Sequence, residues 1–179
     1  MSTMSMREFS VDAAADLALE LVRSSCSSAE IEATAKAVGA GILFMRRKKR
    51  AYIWEELFCA SAGLAAHSIT ESRSSRVAMK ITQTVFEVKA LRLVRSLLGA
   101  ENEAANPRFH EKIKSYKSAL QAGQDAIGLT TLFHENLSRN IGGLNINRQL
   151  QLIPIIASMQ MAMRDAMSGL KIVLDGDSE

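Results

Sequence analysis

Apolar residues recur three and four positions apart in one segment of this chain after another, which is the period of a helix with one buried face. Val11, Ala14, Leu17, Ala18 and Leu21 form the first stripe and predict a helix over about 10–24. The serine-rich stretch at 24–28 breaks it, because serine hydroxyls compete for backbone partners and favour caps. Ser27 and Glu30 have the spacing of a capping box, in which each side chain satisfies the other's exposed N–H, so a second helix is expected to start there. Two stripes follow: Ile31, Ala35, Val38, Ile42 and Met45, then Ile53, Leu57, Ala60 and Leu64. Neither glycine nor proline separates Met45 from Ile53, so two arrangements stand open: one long helix from about 28 to 69, or two helices joined across 46–50.

Residues 70–75 are polar and serine-rich and read as a turn leading into another cap. In the next helix Val77, Ile81, Val85, Val88, Leu91 and Leu98 are expected to face the core, with Lys80, Glu87, Lys89, Arg92 and Arg95 outside and Gly99 closing it. Asn106 before Pro107 marks a further start, since proline loses nothing at a first helical position. Phe109, Ile113, Tyr116, Leu120, Ile127 and Leu137 then read as one face of a single helix ending at Gly142 and Gly143. Within it, Gly123 and Gly128 are read as close-packing positions in preference to a kink. Ile156, Met159, Met163, Met167, Leu170 and Val173 give the most regular stripe, with Pro154 expected near that helix's start.

Composition supports helices over strands. The 179 residues are 47% hydrophobic and 23% charged, with two prolines, enough apolar material for one core and too much for a disordered chain. One helical domain over 1–179 is expected, with 1–8 and 175–179 flexible and strand content near zero. No apolar run is long enough to span a bilayer, so no transmembrane segment is expected. Cys26 and Cys59 have no metal or redox spacing and read as buried reduced thiols of a cytoplasmic protein, virion origin or signal-independent secretion staying open.

The net charge of +3 hides an uneven distribution. Residues 46–95 hold eleven Lys/Arg against four Asp/Glu, whereas 1–45 hold three against six and 96–179 hold eight against nine. The densest part is Arg46, Arg47, Lys48, Lys49 and Arg50, followed by Tyr52 and Trp54. Such a run repels itself, and a polyanion such as nucleic acid would relieve that repulsion and release counterions, with the two aromatics available to stack on bases. The plainer alternative is a solvated helix face: an unbroken helix would splay the five cations around its cylinder, with Glu55 and Glu56 partly compensating them.

Met159, Met161, Met163 and Met167 share one helix, and their adaptable thioethers suit either a partner-binding interface or ordinary core packing. The sequence carries no recognisable enzyme signature. His67, His110 and His134 are scattered, with no helical metal-site spacing, and Gly39-Ala40-Gly41 lacks the preceding strand and third glycine of a nucleotide loop.

The pattern therefore predicts an all-α bundle of five or six helices, without a cofactor or metal. The leading expectation is a non-enzymatic interaction or structural protein, a homo-oligomer associating through apolar helix faces. The alternative is a nucleic-acid-binding or packaging protein using the basic segment.

Overall fold

In the computed structural model, residues 7–39, 47–98, 105–142 and 144–174 are described. They form seven helices and two short strands in the order β1 (Arg7–Ser10), α1 (Val11–Ser25), α2 (Ser28–Ala37), α3 (Arg47–Ile69), α4 (Arg76–Leu98), α5 (Ala105–Gln121), α6 (Ala126–Ile141), α7 (Ile146–Ser168) and β2 (Leu170–Val173). The all-α expectation is met in its coarse form.

The architecture is organised around α3. Every residue of 55–66 is buried, and α3 packs against each of the other six helices. Its sequence explains this position: between Leu57 and Ala66 there is no charged side chain, and a helix that is apolar all round belongs inside a core. Small residues set its spacing from its neighbours. At Gly63 an added Cβ would lie 2.5 Å from the Cβ of Tyr116 and 3.0 Å from the Ile113 carbonyl oxygen, so α3 and α5 approach as closely as a glycine permits. Phe58, Phe86, Phe109, Phe133 and Tyr116 fill the surrounding space and are almost fully buried.

The caps are largely those the serines and acids announce. Ser10 Oγ accepts from Ala13 N at 3.2 Å, Ser27 Oγ from Glu30 N at 3.3 Å, and Ser75 Oγ from Ala78 N at 3.2 Å, each satisfying an exposed donor in a first turn.

Several boundaries differ from the expectation. No single helix runs from 28 to 69: α2 ends at Ala37 and Gly39 takes a positive φ of 73°, a conformation that closes a helix. The stretch read as one helix from Pro107 onward is two. Gly123 has φ 81°, Gln124 N bonds to Ala119 O and Gly123 N to Leu120 O, which together stop α5; Asp125 then caps α6 through Ile127 N and Gly128 N. Pro154 falls inside α7 instead of near its start, because Asn145 caps that helix nine residues before the proline through Arg148 N at 3.1 Å. The proline is exposed there.

Leu170 and Val173 are strand residues. Gly169 ends α7, and the following Leu-Lys-Ile-Val alternates buried with exposed in the two-residue period of a strand. It pairs in parallel with β1, Arg7 opposite Leu170 and Ser10 opposite Val173. The other edge of β2 is met by the turn before α4: Arg73 N donates to Leu170 O at 3.0 Å and Ile172 N to Ser74 Oγ at 2.7 Å. Of the residues expected to be flexible, 1–8 and 175–179, all but Arg7 and Glu8 lie outside those described, as does Gly99 with its closing role.

Candidate functional site

The basic segment opens α3. Arg46 and the side chain of Arg47 lie outside the described residues, while Lys48 and Lys49 are exposed in the first turn. That turn carries no acidic side chain, so these cations stand at the helix end that already bears positive partial charge. Arg50 is half-buried and directs Nη2 to Ser28 Oγ at 3.4 Å, tying the start of α3 to α2.

The two aromatics that follow the run differ in setting. Tyr52 is half-buried. Trp54 stacks on Phe58 at a centroid distance of 5.4 Å and lies 6.3 Å from Phe109, so its ring joins an intramolecular aromatic cluster between α3 and α5.

Glu55 and Glu56 do not compensate the basic run. Both are buried and face α5, fifty or more residues away in sequence. Arg108 and Lys112 donate to Glu55, the latter at 2.9 Å, and Lys112 also donates to Glu56 Oε2 at 2.7 Å. Glu56 Oε1 accepts from the Tyr116 hydroxyl at 2.6 Å and from Asn136 Nδ2 at 2.8 Å. All four carboxylate oxygens are thereby engaged, and the cluster joins α3, α5 and α6. Burial opposes the charge on Lys112, but Glu56 and Glu55 overcome that cost and hold its pKa above the ordinary lysine value. Burial, reinforced by the Glu56 charge, pushes Tyr116 well above the phenol range.

The thiols are equally quiet. Burial raises Cys26 to about 12, partly opposed by a hydrogen bond with Ser61, and burial also raises Cys59 well above its ordinary value. Neither is a thiolate near neutrality, the form a nucleophilic cysteine requires. Both cysteines are free thiols. Among the described residues no group of three or more His, Cys, Asp or Glu could hold a metal ion, and no helix is long and apolar enough to cross a membrane.

The methionines divide sharply. Met159, Met163 and Met167 are buried in the chain's own core and so unavailable as a docking surface, whereas Met161 is 63% exposed.

A surface that sequence reading assigned to the core lies on α4. Its buried residues are Ala78, Thr82, Phe86, Ala90 and Val94, whereas Val77, Ile81 and Val88 are 59%, 42% and 43% exposed. The small Ala78 and Ala90 let α4 come close to its neighbours and Phe86 supplies the bulk, which turns the larger β-branched stripe outward. An open groove of about 790 Å³ runs beside this stripe, lined by Thr70, Arg76, Val77, Lys80 and Ile81 among others. On one flank Glu87 is held 3.1 Å from Lys117 of α5; on the other Lys89 bridges Asp12 and Asp16 of α1 at 3.0 and 2.6 Å. The apolar period was visible in the sequence, but which of two possible faces pointed inward depended on Phe86 and on partners elsewhere in the chain.

No protein-family model, curated protein or solved structure matches this chain.

Proposed function

We propose that this chain is a non-enzymatic helical interaction protein that associates with itself through the outward face of α4. The observation that carries the reading is the row Val77, Ile81 and Val88, three β-branched side chains left in water along one exposed helix face. Single exposed apolar residues are ordinary, but three on one helix side beside an open groove make a surface that helix docking covers. The saturated Glu55 and Glu56 cluster and the high-pKa thiols support a structural role for the residues that could otherwise carry chemistry. Two free thiols fit a reducing compartment such as the cytoplasm. Sedimentation of the full chain over a concentration series tests the proposal: a reversible monomer–oligomer equilibrium is expected, and a monomer at every concentration would overturn it.

A second reading, contact with nucleic acid or another polyanion, is supported by Lys48 and Lys49 at the start of α3, where no acid offsets them. It predicts RNA or DNA binding that weakens steeply with salt and is reduced by Lys48→Ala with Lys49→Ala. No binding at low salt would exclude it.

A further inference from the structure

The outward side of α4 presents Val77, Ile81, Thr84, Val88 and Arg95, with the half-buried Leu91 between the last two, spaced alternately four and three apart. That alternation is the 3.5-residue repeat with which two helices keep a shared seam. The residues turned to the protein's own core follow a different rhythm, Ala78, Thr82, Phe86, Ala90 and Val94 recurring at every fourth position. Building on the reading that α4 is a self-association face, we propose a specific occupant for it: α4 of a second copy, laid antiparallel about a two-fold axis level with the Thr82–Gln83 peptide. Lys80 of each copy then faces Glu87 of the other.

Charge selects this register. Lys80 and Glu87 lie on the same flank of the stripe, seven residues apart, and in an antiparallel pair equivalent flanks of the two helices face one another. With the axis at 82–83, Val77 meets Val88 and Ile81 meets Thr84, each contact occurring twice, as an isologous interface requires. Sliding the helices by one heptad in one direction sets Glu87 against Glu87, and in the other sets Lys80 against Lys80. Like charges face each other in both alternatives. A parallel pair would bring Arg95 opposite Arg95 within the seam itself.

The fold prepares both partners of the ion pair. Lys117 holds the Glu87 carboxylate, whose side chain remains 30% exposed, at the edge of the seam. Lys80 is exposed, and the groove of about 790 Å³ beside Val77, Lys80 and Ile81 is where Val88 of the second copy would lodge.

The test is sedimentation equilibrium of the full chain and of Lys80→Glu, Glu87→Lys, their combination, and Ile81→Asp, with circular dichroism confirming that each is folded. Each charge reversal alone is expected to weaken the dimer about tenfold, and the combination to restore it. Ile81→Asp is expected to abolish it. The combined variant lacks the internal Glu87–Lys117 pair just as Glu87→Lys does, so its recovery reports the interface and not the fold. A monomeric parent chain, or a dimer that survives Ile81→Asp, would overturn both the α4 reading and this inference. A dimer lost in Ile81→Asp but not restored by the combined reversal would overturn the antiparallel register alone, leaving the α4 face in place. A folded chain that captures a different protein on α4 while staying monomeric would likewise overturn self-pairing.

Discussion

Tyr116 donates its hydroxyl to Glu56 Oε1 at 2.6 Å in the middle of the molecule, and Asn136 donates to the same oxygen at 2.8 Å, so one carboxylate on α3 fixes α5 and α6 together. Removing the phenol oxygen leaves that buried charge with one donor fewer at Oε1. Tyr116→Phe is expected to lower unfolding free energy by about 2 kcal/mol, because hydrogen bonds to charged groups exceed neutral ones and the ring's packing is retained. Urea titration followed by circular dichroism measures it, and an unchanged midpoint would mean that the bond contributes nothing net.

The closeness of α3 and α5 makes Gly63 the least replaceable glycine among those flanking the core. Gly63→Ala must push a Cβ against the Cβ of Tyr116 and a backbone carbonyl, neither of which is a flexible side-chain end. A loss of about 2 kcal/mol or more is expected. Gly169→Ala is the control: nothing lies within 4 Å of its added Cβ and its φ is −87°, so stability should hold or rise slightly. Equal effects in the two melting curves would refute the close-approach argument.

Stability should be lost on the alkaline side. Cys26 ordinarily titrates near 9.0 and is raised to about 12 in the folded chain. The unfolded state therefore releases this proton first; the stabilisation is complete below pH 9.0 and is lost as pH rises toward about 12. Cys59, Tyr116 and Lys112 are also raised and act in the same direction, from ordinary values of 9.0, 10.0 and 10.5. Urea midpoints measured at successive alkaline pH values should fall through this window, with a smaller early fall in Cys26→Ala. A flat profile would contradict the assignment.

Methionines on α7 give a direct contrast between core and surface. Met163 is 1% exposed and Met161 63%, so Met163→Ala is expected to cost about 2–5 kcal/mol. For Met161→Ala the expected change is within about 0.5 kcal/mol. Thermal unfolding of the two variants checks this, and similar losses would show that α7 is turned differently.

What the sequence made legible was local. Ser27 with Glu30, the serine turn before α4 and the apolar period of α1 each involve residues within a turn or two of one another, and each has its counterpart in the fold. Gly123 and Asp125 were local signals too, a left-handed stop followed at once by a cap, but the continuing apolar stripe from Phe109 to Leu137 masked them. The orientation of α4 and the partners of Glu55 and Glu56 were not legible. Arg108 and Lys112 stand 53 and 57 positions from Glu55, and periodicity within one helix carries no information about a charge on another. One usable cue existed: the charge-free segment after Glu56 marks α3 as the buried element, and glutamates bordering such a segment need cationic partners from outside it.

The parallel pairing of β1 with β2 also orders events in time. Lys171 and Glu8, joined at 2.7 Å across the two strands, are 163 positions apart, so β1 has no mate until all seven described helices have been synthesised. Closing so long a loop is entropically costly, and the intervening helices must fold it short before the strands can meet. During translation β1 therefore waits, unpaired, for β2, and strand pairing becomes a sign that the helices between them have folded.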